Sequence, residues 1–289
     1  MNSVKTAVLL ALLSAILMAI GQYVAGTNGL LVMFVIAIGM NLFSYWKSDS
    51  IVLAQYNARE VTESDNPELY NTVKKLAHNA NLPMPRVYII PTETPNAFAT
   101  GRNPEHAAVA VTEGIMDLLT HDELEGVLAH ELTHVKHRDT LISTIAAILA
   151  SVITMIANVM QWAAIFGSGR SDDREGSSNP IALLATIILA PLAASIIQMA
   201  ISRSREYMAD EGGAEISGKP LALASALAKI DHYARYGALP HAGNATAHMF
   251  IINPLSYVKS ISSNLFSTHP STEDRIKKLQ EIAASGRYR

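Results

Sequence analysis

Apolar residues in this chain gather into four long runs, and the segments between them alternate polar and apolar positions over short distances. The runs cover about 4–24, 30–46, 141–166 and 181–201. Each is long enough, or nearly so, for a helix to cross a hydrocarbon layer of about 30 Å. Lys5 is the only charge in the first run, and Pro191 interrupts the fourth, where a membrane helix tolerates a kink. A cleaved signal peptide is the alternative for the first run. A second run follows almost at once, which instead predicts a helical hairpin. For the third and fourth runs the alternative is buried core helices, but neither carries a charge through its apolar stretch.

The polar segments have their own punctuation. Asn66 followed by Pro67 predicts a helix start, and Leu69, Val73, Leu76 and Ala80 continue at helical spacing. Residues 86–90, 96–99 and 107–111 predict short strands. Thr120 and Glu123 have the form of a capping box, opening a helix to about Arg138 with Leu124, Val127, Leu128 and Val135 on its apolar side. Residues 220–237 are rich in Ala and Leu and predict a buried helix. Ser271 caps a last helix that turns Ile276, Leu279 and Ile282 inward.

Composition supports a membrane protein. Of 289 residues 49% are hydrophobic and 16% charged, against roughly 25% charged in an average soluble protein. The absence of cysteine excludes disulfides, thiolate metal ligands and a thiol nucleophile. A net charge of −3 argues against a nucleic-acid partner. Lys5, Lys47, Lys136, Arg138, Arg203 and Arg205 flank the runs on one side, while the connector 167–180 mixes both signs. That excess places the N-terminus, residues 47–140 and everything after 201 in the cytoplasm.

The chemistry starts at His130, Glu131 and His134, an H-E-x-x-H pattern inside the capped helix. Residues i and i+4 share a helix face, so two imidazoles there can converge on one ion, with the glutamate beside it as a base. Chance would supply the pattern about 0.03 times in a chain of this composition. Catalytic zinc needs a third protein ligand. His137 fits poorly, because three side chains stacked on one straight helix cannot surround an ion; it reads as a residue closing the helix against its dipole. Glu206 and Asp210 form a second i, i+4 pair, 72 residues beyond His134. One could bind the metal while the other orients an imidazole, or both could belong to a solvated acidic face with Glu211.

Taken together, the two N-terminal apolar segments, residues 96–101, the run Ala129 to His134 with Asp139, two further apolar segments, residues 204–210, and Ser267 to Pro270 with Arg275 and Ile276 resemble the HtpX family. These are membrane-bound zinc metalloproteases, bacterial relatives of the CAAX prenyl proteases. The resemblance covers nearly the full length. It implies one zinc ion on His130, His134 and Glu206, Glu131 as general base, and Asp210 behind a histidine not yet specified. It implies a substrate-edge strand at Asn96, Ala97, Phe98 and Ala99, and suggests that His269 faces the site, where it would stabilise an oxyanion. Arg275 reads as a structural partner to an acidic group. The fold expected is mainly α with a small β-sheet: a transmembrane hairpin over 1–46, then a zincin-like (gluzincin) cytoplasmic domain over 47–289 interrupted by a second transmembrane pair at about 141–166 and 181–201. The implied task is hydrolysis of misfolded or damaged membrane proteins on the cytoplasmic face of the cell inner membrane during stress. The lipid bilayer and unfolded membrane proteins are then its partners, with room for a homo-oligomer or self-cleavage. Two rivals compete: a site-2-type intramembrane protease, which would bury the motif in an apolar span, and a non-catalytic scaffold holding a closed metal site.

Overall fold

The computed structural model describes residues 2–167, 203–236, 251 and 270–288. The fourth apolar run and His269 lie outside them. The chain begins with α1 (Asn2–Gln55), which is two arms rather than one rod. Ala25 and Gly26 leave helical geometry, and Gly26 takes φ +59°, a backbone state that costs glycine little. The arms fold back on each other. The Asn41 amide donates to the Leu10 carbonyl at 3.3 Å and to Ser14 Oγ at 2.9 Å, and Leu9, Leu13, Leu17 and Ala37 bury between the arms and α5 (Thr140–Gly167). The two arms thus form a helical hairpin that extends to Gln55. The segment Ala25–Gln55 is long and apolar enough to cross a membrane; Val4–Ala19 is shorter.

Between α1 and α5 lie β1 (Arg59–Val61), α2 (Pro67–Asn79), β2 (Arg86–Ile90), β3 (Ala97–Thr100), β4 (Ala108–Thr112), α3 (Glu113–Leu118) and α4 (His121–Lys136). After α5 the described helices are α6 (Arg203–Ser217), α7 (Pro220–Tyr236) and α8 (Thr272–Ala284). The caps form as the sequence predicts: Asn66 accepts from Leu69 N–H, Thr120 and Glu123 close a reciprocal box, and Ser271 accepts from Asp274 N–H. Such caps contribute about 1 kcal/mol each.

The four-stranded sheet runs β1-β2-β4-β3 and is mixed, with β2 parallel to β4 and the outer pairs antiparallel. Both faces of its centre are covered. Val87, Val109, Val111, Ala97 and Ala99 face the core shared with α2, α4, α6, α7 and α8. Tyr88, Ile90, Phe98, Ala108 and Ala110 face Val52 and Leu53 at the end of α1 and Ala147 of α5. That double burial explains the unbroken apolar run at 107–111. On α4, Val127, Leu128 and Leu132 are fully buried, each contributing roughly 1.5–3 kcal/mol. The helix is the spine of the domain and carries the H-E-x-x-H residues.

Candidate metal centre

At the end of α4 the chain turns through 92° into α5, with Arg138 in the left-handed region at φ +57°. His137 is the helix-closing residue and is exposed, as the sequence indicates. His130 and His134 lie one turn apart, their rings edge to face at 85° and their centroids 4.9 Å apart.

The third group arrives from α6. Glu206 Oε2 lies 3.8 Å from His130 Nε2, and its Oε1 lies 3.7 Å from His134 Nε2. Helix α6 crosses α4 closely because it presents Gly213: a Cβ there would stand 3.0 Å from the His130 nitrogen and 3.1 Å from its Cα. Among the described residues His130, His134 and Glu206 form the only cluster able to hold a metal ion, their ligand atoms all within 4.8 Å of one another. Ligands about 2.0–2.1 Å from a tetrahedral ion stand about 3.3–3.4 Å apart, so the two Glu206–histidine spacings close by a few tenths of an ångström. Two imidazoles, one carboxylate and no thiolate suit zinc.

Each imidazole is held from behind. Asp210 Oδ1 lies 3.0 Å from His130 Nδ1, which answers the question the sequence leaves open. Asp139 Oδ2 lies 3.4 Å from His134 Nδ1. Both rings thereby present Nε2 to the centre. The two carboxylates are themselves held by arginines. Arg275 donates Nε and Nη2 to Asp210 at 2.8 and 2.7 Å, and Nη1 to the Ile251 carbonyl at 3.1 Å. Arg205 Nη1 donates to Asp139 at 3.2 Å. Arg275 is thus the acidic group's partner expected from the sequence, and it also lies 3.8 Å from Glu206. The sequence places Arg205 among the cations flanking the apolar runs and Asp139 in the family resemblance, and assigns neither a part in holding a histidine. The five-residue step from His134 to Asp139 was a signal only in combination with the turn at Arg138.

Glu131 is buried and accepts a hydrogen bond at 3.0 Å from Ala99 N–H on β3. β3 is the outermost strand on its side of the sheet. It begins at Ala97 rather than Asn96, whose N–H and C=O are both committed to Thr112 and whose side chain accepts from Ile251 N–H. Burial raises the Glu131 carboxyl above its ordinary value, against the pull of His130 and His134. Burial would lower His134, but the Asp139 hydrogen bond and the charges of Glu206 and Glu131 hold it up to about 9. Burial likewise raises Asp210, and the Arg275 charge outweighs it, leaving the carboxyl below its usual range.

Comparison with known proteins shows the family. The model of Peptidase family M48 matches residues 63–283. A protein named Protease HtpX homolog from Pyrococcus furiosus is 57% identical over 280 residues, covering 97% of this chain and 96% of its own. One of the same name from Paraburkholderia phytofirmans is 55% identical over 289 residues, covering 99% of both. The crystal structure of S. mikatae Ste24p aligns at 16% identity with a TM-score of 0.49, over 96% of this chain and 64% of its own. With a family match across most of the chain and full-length relatives identical at more than half their positions, the chain belongs to peptidase family M48, among the membrane metalloproteases of the HtpX type.

Proposed function

We propose that the metal is zinc, held by His130, His134 and Glu206, and that the protein cleaves peptide bonds of unfolded or damaged membrane proteins at the cytoplasmic face of the bilayer. The observation that carries this reading is the convergence of two Nε2 atoms and a carboxylate, with both Nδ1 atoms tied back to aspartates. Zinc held there supplies Lewis acidity, polarising a carbonyl and making water acidic enough to lose a proton near neutral pH. Glu131, held by the Ala99 N–H, would take a proton from the attacking water and deliver it to the leaving amine. A peptide aligned in extended form along β3 would lie beside Glu131. The family resemblance adds His269 as an oxyanion donor, outside the described residues.

Four transmembrane helices remain our reading of the apolar runs, with the loop 167–180 on the far side and the metal centre on the cytoplasmic side. The intramembrane-protease alternative is less well supported: α4 carries exposed Asp122 and Lys136, and Glu125 pairs with Lys75 and Lys219. The test uses the detergent-solubilised full chain with unfolded casein. Digestion should stop with a chelator and return with zinc. Digestion indifferent to the chelator would refute the metal-dependent reading.

A further inference from the structure

The strand that borders the centre is bolted to the apolar helices along and just beyond its length. Thr100 and Thr144 share a 3.0 Å hydrogen bond between β3 and α5. Thr140, in the first turn of α5, donates to the Gly101 carbonyl at 2.9 Å. Arg102 donates to the Trp46 carbonyl at 3.1 Å and lays its guanidinium 4.8 Å over the Trp46 ring. Phe98 packs against Tyr56 beyond the end of the apolar arm.

Trp46 and Lys47 mark a boundary within α1. Before it, Leu31, Val32, Phe34, Val35, Leu42 and Phe43 are exposed, as on a lipid-facing helix. At Lys47 the helix leaves regular geometry, and after it Ser48, Val52 and Leu53 are buried beneath the sheet. Exposed Tyr45 and Trp46 with an adjoining lysine form the aromatic and cationic fringe of a bilayer surface. β3 ends at Thr100, and the chain turns at Gly101, φ +129°, to reach that fringe at Arg102, three residues on from the Glu131 contact at Ala99. Three residues of chain span at most about 10 Å, so Ala99 lies within about 10 Å of the Arg102 level.

We infer from this geometry that the preferred substrate is an extended segment directly adjoining a transmembrane helix, cut only a few residues from the helix end. This rests on the proposed role of β3 as the peptide-pairing edge. A peptide paired along β3 has one end at the Arg102 level, where it meets the membrane. A transmembrane anchor at that end delivers its first extended residues to the centre without a loop. Cleavable chain further out must fold back to the same strand, at a cost in loop closure.

The test is a substrate with one transmembrane helix and two copies of one cleavable sequence in a Gly/Ser linker. One copy starts about 3 residues from the helix end and the other about 24, so that one lies in direct reach of the edge and the other does not. Zinc-loaded full-length protein and substrate are reconstituted together in liposomes, and the products are mapped by mass spectrometry beside digestion of the same sequence as a free peptide. The near copy should be cut at least about a hundredfold faster, beyond the roughly 20-fold bias that random-coil tethering alone gives between 3 and 24 residues. Digestion of the free peptide with equal or faster cutting of the far copy would overturn the inference and leave the protease reading standing. No digestion of either would overturn both.

Discussion

Behind His130 stand Asp210 and Arg275, with side-chain exposures of 1%, 2% and 1%. Behind His134 stand Asp139 and Arg205, with 17%, 6% and 11% between them. The chemistry is the same: imidazole, carboxylate, guanidinium. The setting differs. The first relay ties α4 to α6 and to α8 deep in the core. The second sits where α4 turns into the apolar helix α5 and where α6 begins. The buried relay is thus part of the fold as well as of the centre, while the peripheral one orients a single ring at a corner. A broken buried ion pair leaves a charge without solvent, a cost that is smaller where the side chains reach some solvent.

Arg275→Met should separate the two most sharply. It strands Asp210 and removes the donor to the Ile251 carbonyl. Stability should fall by about 3–5 kcal/mol, read as a lowered Tm in detergent. Zinc affinity should fall by 10-fold to 100-fold, read by competition with a chromogenic chelator. Asp139→Asn is the matching change at the other histidine. It should weaken zinc by about tenfold with a clearly smaller change in Tm than Arg275→Met. Equal losses of stability in both variants would erase the distinction.

Glu123→Gln probes the opposite end of α4 and should leave zinc affinity unchanged. Burial raises this carboxyl, but hydrogen bonds from Lys229, Ser225 and Thr120 outweigh it and bring it down to about 2 from 4.5. The folded value lies below the unfolded one, so the stabilisation is complete above pH 4.5 and is lost as pH falls towards 2. It amounts to at most about 3 kcal/mol. Acid unfolding of the wild type should therefore contain a step in that window that the variant lacks.

Much of this was legible in the sequence because it is local. The capping box, Asn66 with Pro67, and Ser271 are read within four residues. The strand at 86–90 is where the apolar run places it, and those at 96–99 and 107–111 shift by one residue. β1 was missed: Arg59, Glu60 and Val61 offer no alternation to read and become a strand only by pairing with β2. α3 was missed for a similar reason, being a short helix capped by Thr112 at the end of a strand. Asp139 shows the deeper limit. Its contact with His134 exists because Arg138, not a glycine, adopts a left-handed backbone and turns the chain back, and nothing in residues 134–139 announces that. The close crossing at Gly213 is likewise a property of two helices 83 residues apart in sequence, and neither helix signals it alone.

The central claim is that Glu131 acts as the base of a metal centre it does not itself hold together. Wild type and Glu131→Gln should be purified with zinc and compared for bound metal and for digestion of unfolded casein. One zinc per chain is expected in both, with cleavage in the variant reduced by about 10²–10⁴-fold. A zinc-loaded variant that digests casein at the wild-type rate would contradict it.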